Sequence, residues 1–218
     1  MPDINRIYSI DADLLADEAL FAASRVRMPE YRRRKIDRFV FGKDRRLSLG
    51  AGILLERGLD ELGVTDREIR LGENGKPFLS GRDDIFFSIS HSEKKVVCAF
   101  SDRPVGADIE KRFHFDSDLI HHVYLDSETA YITANFPDPD AAYTDLWTIK
   151  ESLMKYLGTG LSLDPRDIRI DLAPPVTAYC KSADCAGLSF TLLGGGDYSL
   201  AVCSEYGDFP REIRRITP

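Results

Sequence analysis

The spacing of hydrophobic residues divides the chain into helical and extended stretches. One stretch places leucines at intervals of seven, one, four and three, which keeps them on one face of an amphipathic helix: Leu47, Leu54, Leu55, Leu59 and Leu62. Periodicity and start signals of this kind predict helices at 13–25, 29–39, 43–62, 117–124, 127–135 and 141–157. Short apolar runs bounded by turn residues predict strands at 4–10, 85–90, 96–101, 105–110, 168–172, 176–180, 188–193 and 198–204. Helices followed by strands, twice over, predict an α+β fold with two halves of similar size, 1–103 and 104–218.

The composition is that of an ordinary globular protein. Hydrophobic residues make up 43% and charged residues 30% of the 218 positions. The apolar runs are far shorter than the roughly 20 residues that cross a bilayer, and the first residues lack the basic and apolar parts of a secretory signal. Four cysteines form no CxxC pair, which argues against a zinc site. We therefore expect a cytoplasmic protein without a membrane segment.

The charge is unevenly distributed. The whole chain carries 29 − 36 = −7, but residues 25–46 hold ten Lys or Arg against three acids, or +7, which leaves −14 elsewhere. This basic segment is either a solvated helix face or a site that attracts a polyanion. A nucleic-acid-binding protein is one alternative. Few aromatic residues interrupt the segment, and the remaining −14 would repel a nucleic acid, so we expect no such partner.

Two carboxylates share one face of a predicted strand. Asp108 and Glu110 are two residues apart, so their side chains project together, while Ile109 points into the core. Two acids so placed repel each other unless a cation lies between them, and Mg²⁺ prefers oxygen ligands. The alternative is a strand end with two solvated acids. Either way, we expect Asp108 to face solvent.

An aromatic residue, an acid and a base share one face of the predicted helix 141–157. Trp147, Glu151 and Lys155 follow each other at intervals of four. Glu151 and Lys155 could form an ordinary surface ion pair. Because Trp147 continues the same stripe, we interpret it as the wall of a cleft that brings Glu151 towards the strand carboxylates.

Two further segments supply groups that bind phosphate. The segment 88–92 places Ser90 and His91 at the end of a strand, and Lys76 follows a glycine in a turn beside a proline. Any one of these residues is commonly structural. Their presence with the three acids favours a metal-assisted phosphate chemistry.

Together these segments resemble a known family. Their order and spacing, in 75–77, 87–92, 106–110 and 147–155, resemble the 4′-phosphopantetheinyl transferases of the surfactin-synthetase-activating type. The resemblance implies a pseudo-dimer of two α+β halves with the active site at their interface. It also implies transfer of the phosphopantetheine arm of coenzyme A to a serine hydroxyl of an apo acyl or peptidyl carrier protein. The co-product would be adenosine 3′,5′-bisphosphate, and the enzyme is expected to be a monomer.

The resemblance assigns roles to individual residues. Asp108, Glu110 and Glu151 would bind Mg²⁺, or Mn²⁺ in its place, on the pyrophosphate of coenzyme A. Glu151 would also remove the proton of the acceptor serine, and Lys155 would stabilise the leaving nucleotide. The expected contacts to coenzyme A come from Ser90, His91, Lys155, Lys76, Arg32, Lys35, Lys43 and Ser48.

Two departures from the family pattern stand out. Ala107 replaces the usual Ile or Val. Arg32 stands where Lys is expected, so a planar guanidinium with a fixed fork of donors replaces a point charge.

The sequence leaves other functions open. One is a degenerate relative that binds coenzyme A or a carrier without transfer; another is a metal-dependent phosphohydrolase, although rich His/Asp clusters are lacking. Sequence does not distinguish fatty-acid, polyketide and peptide carriers.

Overall fold

The computed structural model describes residues 4–207 and 209–218. The α-helices in these residues are α1 Glu18–Val26, α2 Glu30–Asp37, α3 Gly42–Glu61, α4 Ser117–Val123, α5 Asp126–Asn135 and α6 Pro139–Leu157. The strands are β1 Arg6–Asp11, β2 Ile69–Leu71, β3 Pro77–Leu79, β4 Phe86–Ser92, β5 Lys95–Ser101, β6 Val105–Lys111, β7 Ile168–Asp171, β8 Thr177–Cys180, β9 Ser189–Gly195, β10 Tyr198–Ser204 and β11 Ile213–Arg215. The predicted α+β class is confirmed.

The hydrophobic pattern predicts most of these elements to within a few residues. The helix expected at 13–25 is divided, because Asp17 ends a 3₁₀ turn at Ala12–Ala16 and caps α1 by accepting a hydrogen bond from Leu20 N at 2.8 Å. The short strands β2, β3 and β11 were not predicted. With three residues each, they are too short for alternation to be recognised.

Two sheets meet side by side. One has the strand order β11-β1-β5-β4 and the other the order β6-β10-β9. Where β4 lies against β6, serine side chains complete the contact: Ser88 Oγ accepts from Ala107 N at 2.9 Å, and Ser92 Oγ accepts from Lys111 N at 3.0 Å. The serines of β4 therefore lie next to the carboxylates of β6.

A long helix packs on each sheet. Buried leucines of α3 pack against Phe100 of the first sheet, and α6 packs against β6 and β10. The second contact requires a glycine, since a Cβ on Gly106 would lie 2.0 Å from Ser152 O and 2.3 Å from Tyr156 N. This close approach lets α6 present its Glu151–Lys155 face to β6.

The last described strand returns to the first sheet. β11 pairs in parallel with β1, Ile7 opposite Ile213, and Arg214 Nη1 lies 3.2 Å from Glu61 Oε2 of α3. The segment thus crosses the predicted boundary between residues 103 and 104, and the division into two domains stays a prediction. Within the described ranges, none of the helices combines the length and the apolar character that crossing a membrane requires.

Candidate active site

Asp108 lies at the centre of a polar cluster between β4, β6 and α6. Its Oδ1 accepts hydrogen bonds from Ser90 Oγ at 2.7 Å and from Lys155 Nζ at 2.5 Å. Lys155 also donates to Ser90 Oγ at 2.8 Å. The expectation that Asp108 faces solvent is wrong: its side chain is only 2% exposed because β4 and α6 cover this face of β6.

One oxygen of this carboxylate has no partner. Within residues 4–207 and 209–218, Asp108 Oδ2 is buried and makes no hydrogen bond. Lys155 compensates the charge of the carboxylate through Oδ1, but a buried acceptor without a partner still costs about 1–3 kcal/mol. Oδ2 is therefore an open position that a donor or a cation could complete.

Glu110 continues the same face of β6. Its Oε2 accepts from Ser92 Oγ at 2.8 Å. Burial raises the pKa of Glu110, and the charge of Asp108 raises it further; hydrogen bonds from Ser92 and Trp147 oppose this shift. The predicted stripe on α6 therefore does face β6.

Glu151 is electrostatically coupled to both strand carboxylates. Burial raises its pKa to about 6, repulsion from Asp108 and Glu110 adds to the shift, and Lys155 acts against it. The three acids are nevertheless not a ready-made ligand set: in the part of the chain that the structure describes, no three His, Cys, Asp or Glu side chains converge closely enough to hold a metal ion. The oxygen donors and the unpartnered Asp108 Oδ2 fit a hard cation.

Lys76 connects the turn before β3 to the end of α6. Its Nζ donates to Val105 O at 3.2 Å and to Tyr156 O at 3.1 Å, and Asn74 Nδ2 donates to Gly158 O at 3.0 Å. Burial lowers the pKa of Lys76 to about 8. A cavity of about 200 Å³ lies here, with Lys76, Ser88 and Lys155 among its walls. The turn and Lys155 of the polar cluster thus border the same cavity.

His91 extends the cluster towards the basic segment. His91 is exposed at the rim. Desolvation by surrounding protein atoms nevertheless lowers its pKa, and the charges of Lys155 and Lys35 act in the same direction. On α2, desolvation lowers the pKa of Lys35, and the charge of the neighbouring Arg32 lowers it further. The structure therefore connects Lys155, His91 and the basic helix α2 electrostatically.

The remaining residues predicted to contact coenzyme A lie in different surroundings. Arg32 and Ser48 are buried, and Arg32 Nε and Ser48 Oγ are without a hydrogen-bond partner among the described residues. Lys43 instead pairs with Glu93 at 2.8 Å and lines a separate cavity of about 320 Å³. The structure does not place Lys43 in the carboxylate cluster.

Sequence reasoning gave no role to two features of this region. Ser92 is not among the predicted contacts, although its alternation with Ser88 and Ser90 indicates that one face of β4 is polar. The buried pair of Lys150 and Glu128, 2.8 Å apart, had no local signal because its partners are 22 residues apart in different helices.

Comparison with known proteins now identifies the family. The family model of the 4′-phosphopantetheinyl transferase superfamily matches residues 104–203. A 4′-phosphopantetheinyl transferase of Bacillus subtilis is 31% identical over 187 residues, which is 82% of this chain and 82% of the relative. The chain belongs to the 4′-phosphopantetheinyl transferases.

Two other relatives agree with this assignment. The 4′-phosphopantetheinyl transferase Sfp of Bacillus subtilis strain 168 is 29% identical over 192 residues, 85% of this chain and 86% of the relative. The 4′-phosphopantetheinyl transferase gsp of Aneurinibacillus migulanus is 34% identical over 148 residues, 66% of this chain and 62% of the relative. The protein is a phosphopantetheinyl transferase. Its family uses coenzyme A and acts on carrier proteins. The roles of individual residues in this transferase stay predictions.

Proposed function

We propose that this transferase moves the phosphopantetheine arm of coenzyme A to a serine hydroxyl of an apo carrier protein, in a reaction that depends on Mg²⁺. The observation that carries the proposal is the Asp108–Ser90–Lys155 cluster, in which one oxygen of a buried carboxylate has no partner among the described residues while the other binds a lysine.

We further propose that the two halves form a pseudo-dimer with this cluster at their interface. The side-by-side contact of β4 and β6 supports that arrangement.

Coenzyme A would extend from the carboxylate cluster to the basic helix α2. Ser90, His91 and Lys155 are the donors nearest the pyrophosphate in this proposal, and Lys76 borders the same cleft. The 3′-phosphate would be bound at Arg32 and Lys35. Unpartnered donors, Arg32 Nε and Ser48 Oγ, support this assignment because buried donors usually have an acceptor.

Asp108, Glu110 and Glu151 are the residues that would hold Mg²⁺, or Mn²⁺. When bound, the ion would neutralise charge on the pyrophosphate oxygens. Ser92 and Trp147 orient Glu110, and Ser90 and Lys155 orient Asp108, so each carboxylate of β6 is held by neighbouring side chains. Such outer hydrogen bonds fix ligand geometry and are a common feature of metal sites.

Glu151 is the proposed base and Lys155 the proposed leaving-group partner. The serine oxygen forms a bond to the β-phosphorus as the bond from that phosphorus to the bridging oxygen breaks. The serine proton goes to Glu151, and the electron pair leaves with adenosine 3′,5′-bisphosphate. Burial and repulsion from Asp108 raise the pKa of Glu151 to about 6 before an ion is bound, which favours its acceptance of a proton. The Lys155 ammonium stabilises the departing phosphate, a contact typically worth about 2.7–4 kcal/mol in the transition state.

The acceptor would be a carrier of a fatty-acid, polyketide or non-ribosomal peptide synthase, bound by a monomeric enzyme. If the carrier is acidic, the net charge of −7 on this chain gives little long-range attraction. Docking would then depend on local basic side chains and apolar contact.

The test is a transfer assay by mass spectrometry. The protein is incubated with coenzyme A, Mg²⁺ and a panel of apo carriers, and one phosphopantetheine arm should be gained by at least one carrier. Asp108→Asn should abolish the gain, whereas Asp84→Asn, which affects an exposed pair with Arg82, should not. Normal transfer by Asp108→Asn would refute the site.

A further inference from the structure

Another cavity lies behind the carboxylates, on the opposite face of β6. Its volume is about 750 Å³, within the range of about 300–1,000 Å³ typical of ligand sites. Ile109 forms part of its wall. Because side chains alternate along a strand, Ile109 faces this cavity while Asp108 and Glu110 face the active site. The cavity is therefore separate from the cluster that binds coenzyme A in our proposal.

Apolar side chains form part of the lining of this cavity, and some of them lie at a partly exposed rim. Val97, Ile109 and Leu200 belong to a buried apolar cluster to which both sheets contribute, and they are the buried members of the lining. Leu14 and Ile213 also line the cavity but are 47% and 36% exposed. An apolar surface that continues from a buried wall to an exposed rim suits a flexible hydrocarbon chain.

Two arginines without acidic partners stand among the lining residues. Along β11, Ile213 and Arg215 line the cavity, whereas Arg214 turns to the other side and pairs with Glu61. In the described part of the chain neither Arg211 nor Arg215 forms an ion pair; Arg211 donates only to Leu192 O, at 3.3 Å. Two guanidinium groups that have no ion pair within the described residues therefore border the cavity.

The charged side chains among the lining residues favour an anionic ligand. Asp11 lines the cavity as well and pairs with Lys95 at 3.0 Å. With Lys95, Arg211 and Arg215 against Asp11, the charged side chains of the lining sum to 3 − 1 = +2, which favours an anion. A guanidinium binds a carboxylate through two parallel hydrogen bonds. The lining thus suits a carboxylate head group.

We propose that this cavity is a binding site for a long-chain carboxylate, with the chain along Leu14, Ile109 and Ile213 and the head group at Arg211 and Arg215. The inference is independent of the transfer reaction, so the two can fail separately. Ile109 also connects them physically, since a ligand in the cavity would contact the residue between the two β6 carboxylates.

Isothermal titration calorimetry with the full chain tests the chemistry of the ligand. Dodecanoate is titrated below its micelle concentration, in parallel with hexanoate, dodecyltrimethylammonium and dodecyl phosphate. We expect saturable binding of dodecanoate at one site, at least tenfold weaker binding of hexanoate and of the cationic analogue, and no tighter binding of the phosphate. Absence of saturable dodecanoate binding, or equal binding of the cation, would overturn the proposal; tighter binding of the phosphate would overturn its head group.

Exposed positions locate the site without disturbing the core. The double variant Arg211→Gln/Arg215→Gln should raise the Kd for dodecanoate at least tenfold, and Ile213→Asp should raise it similarly. Arg169→Gln is the matched control, because it removes one guanidinium from β7, outside the cavity. Unchanged affinity in the double variant and in Ile213→Asp would place the ligand elsewhere and refute the assignment.

Discussion

Helix α6 carries two lysines that each pair with a buried carboxylate, in opposite surroundings. Lys150 is 0% exposed and donates to Glu128 Oε2 at 2.8 Å, Pro165 O at 3.0 Å and Val123 O at 3.3 Å. Lys155 is 27% exposed and pairs with Asp108, whose second oxygen has no hydrogen-bond partner among the described residues. The difference separates a structural ion pair from a candidate catalytic one.

The completeness of each hydrogen-bond set explains the contrast. All three ammonium hydrogens of Lys150 have acceptors, and Glu128 also accepts from Leu125 N and Ile170 N, both at 2.9 Å. A saturated network of this kind fixes α5, α6 and the start of β7 relative to one another. Around Asp108 the network is incomplete and partly open, so a substrate or an ion can complete it.

The largest expected effect is on stability, from Lys150→Met. Removing this lysine leaves Glu128 charged and enclosed, which typically costs about 3–5 kcal/mol. Urea unfolding should show this loss. Lys181→Met is the matched control: it breaks an exposed pair with Asp167 and should cost less than about 1 kcal/mol. Equal losses in the two variants would show that the enclosed pair contributes no more to stability than an exposed one.

The next effect is on turnover, from Lys155→Met. We expect kcat to fall about 10²–10³-fold, equivalent to about 2.7–4 kcal/mol. The loss of unfolding free energy should be smaller than for Lys150→Met, because solvent reaches the partly exposed Lys155 side of this pair. Single-turnover transfer assays and urea unfolding of the same preparation measure both. An unaltered kcat would remove Lys155 from the mechanism.

Lys76 is a third buried lysine, and the cost of its charge can be measured from the pH dependence of stability. Burial lowers its pKa to about 8, whereas an unfolded lysine titrates near about 10.4. Between these values the unfolded chain binds more protons, so stability rises with pH in this window; the cost of the buried charge is fully present below about pH 8. The whole shift corresponds to at most about 3 kcal/mol.

Urea unfolding at pH 7, 9 and 10 compares wild type with Lys76→Met. The wild type should gain stability relative to the variant as the pH rises. If the difference between the two proteins stays constant with pH, Lys76 remains charged in the fold, and its two carbonyl acceptors outweigh its burial.

The smallest effect is expected in the basic segment, which lies beyond the Lys155 end of the site. Arg32→Gln/Lys35→Gln should raise the KM for coenzyme A about tenfold, or about 1.4 kcal/mol, and should flatten its dependence on salt because fewer charges attract the nucleotide. Arg70→Gln, which removes an exposed arginine that pairs with Glu68, should leave KM unchanged. An unchanged KM in the double variant would assign the basic helix another role.

The sequence determined the parts of this protein that depend on local pattern. Leucine spacing predicted α3, alternation placed Asp108 and Glu110 on one face of β6 with Ile109 on the other, and intervals of four put Trp147, Glu151 and Lys155 on one stripe. These follow from the fixed geometry of helices and strands. The motif order was sufficient to indicate the transferase family.

Only the tertiary structure decided which groups are buried and which meet. Packing of β4 and α6 over β6 enclosed Asp108, contrary to expectation, and left its Oδ2 without a hydrogen-bond partner among the described residues. The same packing joined Lys150 to Glu128 and placed Arg211 and Arg215 beside a partly apolar cavity. Burial and long-range pairing depend on how separate elements pack against each other. The periodicity within one element does not encode the distance between two elements.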